Sequence, residues 1–202
     1  MAIRLIAGLG NPGRKHRRDR HNAGFWFADR LAARERAAFR NEPKFDAQIA
    51  RLPGDLWLVM PQTYMNLSGN AVGGLARFYK IQPDEVLVAH DELDFPPGTV
   101  KLKLGGGVAG HNGLQDIAAQ LGTQDFWRLR IGIGHPGDKS LVAGYVLSAP
   151  SPDDRALIDD AIARALEVSR LILAGDLQAA TMKLHTRKPA TPPDEPPGGG
   201  EP

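Results

Sequence analysis

Cysteine is absent from this chain of 202 residues, and so is any long hydrophobic run. Without cysteine there is no disulfide, no thiolate nucleophile and no thiolate metal ligand. No apolar stretch approaches the ~20 residues of a membrane-spanning helix, and the apolar start, IRLIAGLG, is too short for a signal peptide. We therefore expect a cytoplasmic protein with no membrane partner.

The composition predicts one globular domain followed by a tail. Hydrophobic residues make up 42% and charged residues 24% of the chain, as in ordinary soluble domains. Residues 188–202, KPATPPDEPPGGGEP, hold six of the sixteen prolines and carry one lysine against three acids. Such a segment cannot bury a core, so we predict a domain over 1–187 and a disordered tail over 188–202.

The net charge of +2 is unevenly distributed along the chain. The tail contributes −2, which leaves +4 on residues 1–187, and RKHRRDR (14–20) places five positive side chains in seven residues. This run is either a solvated face or a contact surface for an anionic partner such as nucleic acid, and composition leaves both open.

Helical and strand patterns alternate along the domain, which predicts an α/β fold. Because a hairpin interrupts the alternation, we expect a single three-layer globule with a mixed, twisted β-sheet between helices. The predicted strands are 3–7, 44–52, 56–61, 85–91, 99–104 and 127–133. The predicted helices are 23–40, 68–80, 114–121, 151–174 and one that ends near 185. Ser151 and Pro152 form the expected start of the long helix.

The stretch GLGNPG (8–13) fits the dinucleotide fingerprint G-x-G-x-x-G, but its surroundings do not. Pro12 removes one backbone N–H from the loop that would hold phosphate, and RKHRRDRHN has no apolar stripe for a helix packed on the strand. Asp29 lies inside a helical pattern, where a ribose-binding acid should end a strand. We therefore reject a nicotinamide or flavin site.

Three polar clusters lie on loops at the ends of predicted strands, where α/β proteins usually hold their sites. They are Asn11 with His21 and Asn22, the run Thr63-Tyr64-Met65-Asn66, and His90-Asp91 with His111-Asn112. Singly, each asparagine is explained by a turn or a helix cap. Together they predict a site.

The residue types argue against some catalytic classes and leave others open. Neither the G-x-S-x-G signature of serine hydrolases nor a phosphate-binding Walker A loop is present. A metal-dependent hydrolase using His90, Asp91 and His111, with Asp94 as a further ligand, stays open. However, adjacent residues of a strand point to opposite faces, so His90 and Asp91 cannot both bind one ion without a kink. A histidine–aspartate pair that activates water needs no metal.

The motifs also carry a resemblance. GLGNPG, RHNAG, TYMNLSG, HDELDFPPG, KLKLGGG, GHNGL and RLRIGIGHPGD follow one another in the order seen in bacterial-type peptidyl-tRNA hydrolases, and they span residues 3 to about 185. The resemblance implies hydrolysis of the ester between a peptide and tRNA, which releases free tRNA. It also implies a monomeric α/β enzyme with no metal, no cofactor and no obligate protein partner.

The resemblance assigns roles to single residues. His21 is expected to be the catalytic base and Asp91 its orienting carboxylate, while Asn11, Asn66 and Asn112 position the substrate. The remaining expected substrate or tRNA contacts are Tyr64, Met65, His111 and His16. Two positions depart from the family pattern, since His16 stands where the family commonly has Tyr and Asp19 where it commonly has Thr.

The basic residues are expected to contact tRNA phosphates, which position RNA without reading its sequence. They are Lys101, Lys103 and Arg130, together with Arg14, Arg17, Arg18 and Arg128. On the strands, the lysines and arginines alternate with apolar residues and are expected to share one polar face. A non-catalytic tRNA-binding module remains the alternative for such a surface.

Overall fold

The computed structural model describes residues 2–108 and 110–186, so the tail predicted for 188–202 lies outside the described residues. Within them, seven strands form one sheet. They are β1 (Leu5–Gly8), β2 (Arg40–Glu42), β3 (Ala47–Leu52), β4 (Leu56–Pro61), β5 (Val86–Glu92), β6 (Val100–Leu104) and β7 (Trp127–Gly132). Their order across the sheet is β2-β3-β4-β1-β5-β7-β6. The pairs β1–β4, β1–β5 and β5–β7 are parallel and the other three are antiparallel, which confirms the mixed sheet.

Helices cover both faces of the sheet. The described residues contain α1 (Ala23–Arg34), α2 (Ser68–Phe78), α3 (Asn112–Leu121), α4 (Val142–Val146), α5 (Pro152–Glu167), α6 (Ser169–Leu173) and α7 (Leu177–Thr186). One apolar cluster joins the sheet to α1, α5, α6 and α7, and a second joins its other face to α2 and α3. Strand β5 supplies both clusters alternately, which explains its continuous apolar sequence. The α/β prediction is confirmed. None of the described helices is long and apolar enough to cross a membrane.

Two predicted helices are shorter than the sequence indicated. The helix expected over 23–40 ends at Arg34, Arg36 takes a left-handed conformation (φ 53°), and 40–42 becomes the edge strand β2. All three residues of β2 are exposed, so no apolar alternation marks the strand. The helix expected over 151–174 begins as predicted, since the Ser151 side chain accepts from Asp154 N. It divides at Val168, where Ser169 Oγ donates to Leu166 O, a bond of the kind that bends helices.

Two glycines let α1 approach the sheet and bring the preceding turn to its edge. A Cβ on Gly24 would lie 2.3 Å from Ala89 O and 2.4 Å from Leu9 N, and a Cβ on Gly8 would lie 2.4 Å from Gly24 O. Because these contacts are with backbone atoms, no side chain fits there. Gly8 of GLGNPG and Gly24 of RHNAG therefore serve close packing between β1, β5 and α1.

Candidate active site

One carboxylate joins two histidines at the carboxyl end of β5. Asp91 Oδ2 accepts a hydrogen bond from His21 Nδ1 at 2.8 Å, and Asp91 Oδ1 accepts one from His111 Nε2 at 2.9 Å. His21 lies in the short 3₁₀ turn that precedes α1, and His111 is the residue before α3. Since α1 and α3 cover opposite faces of the sheet, Asp91 links the two layers at its edge.

These contacts fix the tautomer of each neutral imidazole. Asp91 can only accept, so His21 carries its proton on Nδ1 and has its lone pair on Nε2. His111 caps α3, and its Nδ1 accepts the backbone N–H of Leu114 at 3.3 Å. Its proton is therefore on Nε2, which donates to Asp91. His21 lines the crevice, and its Nε2 has no partner among the described residues.

The charge of Asp91 governs the protonation of His21. Burial alone would lower the pKa of His21, but the charge of Asp91, its hydrogen bond and the charge of Asp19 together raise that pKa above 6.5. Burial opposes the ionisation of Asp91, yet the charges and hydrogen bonds of His21 and His111 hold the pKa of Asp91 well below its usual value. Asp91 is thus an anion throughout the range in which His21 titrates.

His90 lies beside this cluster but is not part of it. Its Nδ1 donates to the backbone oxygen of Asp91 at 2.7 Å, and its ring packs edge-on against His111 with centroids 5.1 Å apart. His90 is only 1% exposed, and its buried Nε2 has no partner among the described residues. Burial, followed by the charge of His111, lowers the pKa of His90 to about 3. His90 is therefore a neutral ring that supports His111.

Asn11 is held in place by two neighbouring segments. Asn11 N donates to Asn22 Oδ1 at 2.8 Å, and Asn22 Nδ2 donates to Asn11 O at 2.9 Å. Met65 N donates to Asn11 Oδ1 at 2.7 Å. Because Met65 N–H is a donor, the amide must turn its oxygen toward it. The Nδ2 group of Asn11 then has no partner among the described residues.

The residues predicted to contact the substrate differ in burial and line different cavities. A cavity of about 430 Å³ is lined by His21, Asp91, His111 and Asn112, with α4 forming part of its wall. Asn11 and Asn22 line a separate cavity of about 320 Å³. The remaining predicted contacts lie outside both cavities: Met65 is buried, while Tyr64 (66% exposed) and Asn66 are exposed beside it.

Comparison with known proteins shows which family the chain belongs to. The sequence model of the peptidyl-tRNA hydrolase family matches residues 5–192. The chain belongs to the peptidyl-tRNA hydrolase family. It is 57% identical to the peptidyl-tRNA hydrolase of Neisseria meningitidis over 188 residues, which is 92% of this chain and 98% of that protein. It is 58% identical to the one of Thiobacillus denitrificans over 189 residues, 94% of this chain and 93% of that protein.

Solved structures of the family have the same fold. The crystal structure of peptidyl-tRNA hydrolase from Acinetobacter baumannii superimposes with a TM-score of 0.90 at 45% sequence identity. The superposition covers 93% of this chain and 97% of that chain. The mixed sheet and both helical layers are therefore those of the family.

The cations expected to meet tRNA lie on two paired strands and differ in exposure. Lys101 and Lys103 are exposed on β6, directly opposite Arg130 and Arg128 of β7. Arg130 is half-buried; its Nε donates to Glu92 Oε1 at 2.7 Å, and its guanidinium lies over the Phe95 ring.

The predicted alternation fails at two positions. Arg128 is 3% exposed and donates to backbone carbonyls, so the expectation that it shares an exposed polar face with Arg130 is wrong. The alternating sequence of a strand does not show that an arginine side chain can bind the backbone carbonyl groups of neighbouring loops instead of facing solvent. Leu104, one of the apolar residues that alternate with the lysines of β6, is 47% exposed because it ends this edge strand.

The basic run before His21 contains both exposed and buried residues. Arg14, Arg17 and Arg18 are exposed, as expected of residues that contact an anionic partner. His16 is half-buried, and its Nδ1 lies 2.7 Å from Asp19 Oδ2. The two departures from the family pattern are therefore partners of each other.

The metal-hydrolase alternative is not favoured by this arrangement. The set that the fold brings together is His21, Asp91 and His111, whose potential ligand atoms lie within 4.8 Å of one another, and His90 is not among them. A metal on His111 Nε2 would require the proton to move to Nδ1. There it would face the Leu114 N–H, donor against donor, so the helix cap opposes this ligand.

Two neighbours of His21 hold its turn in place, a role that the sequence did not predict. Asn22 joins the turn of His21 to Asn11, as described above. Arg20 is buried, and its Nη1 donates to Ser148 Oγ at 2.7 Å and to Tyr145 O at 3.1 Å. Arg20 thus ties the turn to the end of α4, the wall of the crevice. Its place inside a basic run concealed this structural role.

Proposed function

We propose that this chain hydrolyses the ester between a peptide and tRNA, with water activated by His21. The observation that carries this proposal is the orientation of His21 between Asp91 and the crevice. Nδ1 is bound to a buried carboxylate, while the lone pair of Nε2 has no partner among the described residues. This is the geometry that a general base requires, and it needs neither a serine nor a metal.

In the proposed step, His21 Nε2 removes a proton from water as the oxygen attacks the ester carbonyl. The resulting imidazolium is stabilised by Asp91, which stays ionised. The same proton can then return to the leaving 3′-oxygen of tRNA. Because the raised pKa of His21 keeps part of the imidazole protonated near neutral pH, activity should rise with pH through a limb above 6.5.

Side-chain amides complete the proposed site. The Nδ2 group of Asn11 is held in position yet has no partner among the described residues, so it can donate to a substrate carbonyl or to the developing oxyanion. Asn66 and Asn112 are exposed and can bind peptide backbone. Amides bind backbone without requiring a particular side chain, which suits a substrate that carries any peptide. Tyr64 and Met65 would flank the same peptide.

The basic surface would hold the RNA part of the substrate. Lys101, Lys103 and Arg130 lie together on β6 and β7, and the exposed arginines before His21 form a second positive segment. Positive groups of this kind bind phosphates irrespective of sequence. We propose that the protein acts as a monomer in the cytoplasm, without a cofactor.

The test is release of the peptide from purified N-blocked aminoacyl-tRNA. We expect free N-blocked amino acid and intact tRNA with a free 3′-hydroxyl. We also expect no loss of activity after chelation when the substrate is an N-blocked aminoacyl ester of adenosine, which has no magnesium-dependent fold. Tight tRNA binding without release would instead indicate a non-catalytic binding module, and inhibition reversed by zinc or manganese would indicate the metal hydrolase.

A further inference from the structure

Arg128 is a buried cation whose hydrogen bonds, within the described residues, all go to backbone carbonyl groups. Its Nη1 donates to Gly107 O at 2.7 Å, and its Nη2 donates to Gly106 O at 2.7 Å and to Gln124 O at 3.1 Å. Bonds from an ionised donor are roughly twice as strong as neutral ones. The planar guanidinium thus holds two consecutive carbonyls of one turn.

That turn belongs to the glycine loop, which we define as residues 105–108 and 110. Gly105, Gly106 and Gly110 have φ values of 68°, 104° and 85°, in the region that favours glycine. Glycine gains this freedom at the cost of large backbone entropy when the loop is ordered. A loop of this composition therefore needs an external contact to keep one shape, and Arg128 supplies it at Gly106 and Gly107.

The glycine loop leads directly into the candidate active site. His111 N donates to Val108 O at 3.2 Å, so the end of the loop sets the position of His111. His111 then caps α3 and donates to Asp91, as described above, and Asn112 follows it at the crevice. A change in the turn at Gly106–Gly107 is thus four or five residues away from a side chain that contacts the catalytic carboxylate.

We propose that Arg128 is a positioning residue, which holds the glycine loop in the shape that presents His111 and Asn112 to the substrate. The proposal rests on the proposed hydrolysis for its kinetic consequences, whereas its consequence for loop order is independent of the reaction. It also gives Arg128 a different role from Lys103, its exposed cross-strand neighbour, although the Lys103 Nζ lies close to Gly106 as well.

The experiment compares Arg128→Gln and Arg128→Lys with wild type in the full chain. Arg34→Gln, an exposed change on α1, is the matched control. The adenosine ester described above measures chemistry without the tRNA body, a salt titration measures tRNA binding, and hydrogen exchange measures order over 105–111. We expect Arg128→Gln to lower kcat on the adenosine ester by roughly tenfold to a hundredfold, the size of effect that misplaced groups produce.

Hydrogen exchange over 105–111 should become faster in Arg128→Gln, and the salt slope of tRNA binding should stay that of wild type. Arg128→Lys should recover only part of kcat, because one ammonium cannot replace the paired Nη groups. If Arg128→Gln does not fold, Gly106→Ala strains the same turn at φ 104° while Arg128 stays in place. This variant should also lower kcat and speed up hydrogen exchange over 105–111.

The proposal is overturned if kcat on the adenosine ester is unchanged while the salt slope flattens, since Arg128 would then be a phosphate contact. It is also overturned if loop exchange is unchanged, or if Gly106→Ala has wild-type kcat and exchange. If wild type itself does not cleave the ester, the proposed function fails. In that case, loop exchange in the Arg128 and Gly106 variants still decides whether Arg128 orders the loop.

Discussion

Replacing Asp91 with asparagine tests how one carboxylate controls two histidines. Both carboxylate oxygens accept an imidazole N–H, at 2.8 and 2.9 Å, but an asparagine side chain has a single acceptor. Leu114 N–H fixes His111 as a donor on Nε2, so His111 should keep the asparagine oxygen. His21 then faces an NH₂ group, and its Nδ1 must become the acceptor. The proton of His21 moves to Nε2, where the base needs a lone pair.

The expected loss follows from this change of tautomer and from the lost charge. The equivalent substitution in serine protease triads reduces kcat by about 10⁴-fold, and general base catalysis in general contributes about 10²–10⁴-fold. We expect Asp91→Asn to reduce kcat/KM by an amount in this range. Without the carboxylate, burial lowers the His21 pKa and only the charge of Asp19 still raises it, so the residual activity should rise with pH through a limb below that of wild type.

The assay is kcat/KM for the adenosine ester as a function of pH, with Asp153→Asn on exposed α5 surface as the matched control. Circular dichroism and urea unfolding would establish that each variant is folded. Control of His21 by Asp91 is disproved if folded Asp91→Asn retains the pH limb of wild type. It is equally refuted if its rate falls by less than about tenfold, because neither the tautomer nor the charge of His21 would then depend on Asp91.

Two further predictions concern packing and tRNA binding. Gly24→Ala should lower the free energy of unfolding, measured in urea, by at least about 1–3 kcal/mol, because its Cβ would lie 2.3 Å from Ala89 O. The control Gly144→Ala should not lower it, because a Cβ on Gly144 would lie in open space. Equal stabilities of the two variants would contradict the close packing at Gly24. Lys103→Ala should flatten the log–log salt dependence of tRNA binding by ~0.7–0.9, and an unchanged slope would show that Lys103 meets no phosphate.

Strong periodic patterns allowed most of the fold to be predicted. The unbroken apolar run of β5 indicated a strand covered on both faces, and the alternation in β3 indicated a hairpin with β4. Edge strand β2 could not be predicted, because Arg40, Asn41 and Glu42 are all exposed and form a strand only by pairing with β3. Helix α4 was missed as well: it has only five residues, too few for a helical repeat.

The site was predictable in its residue types and less so in its contacts. Sequence placed polar clusters at strand ends, and the fold brings His21, Asp91 and His111 together there. The second bond to Asp91, from His111, could not be foreseen because it depends on where α3 begins. The same limit applies to Arg128, since burial of an arginine in a strand is decided by a loop that folds over it.

The role of His21 is best tested by the single-turnover rate of ester cleavage by His21→Ala on N-blocked aminoacyl-tRNA, with tRNA affinity measured in parallel. If His21 activates water, the rate should fall by about 10²–10⁴-fold while the tRNA dissociation constant and the unfolding midpoint stay close to those of wild type. A folded His21→Ala protein that cleaves the ester at close to the wild-type rate would contradict the account.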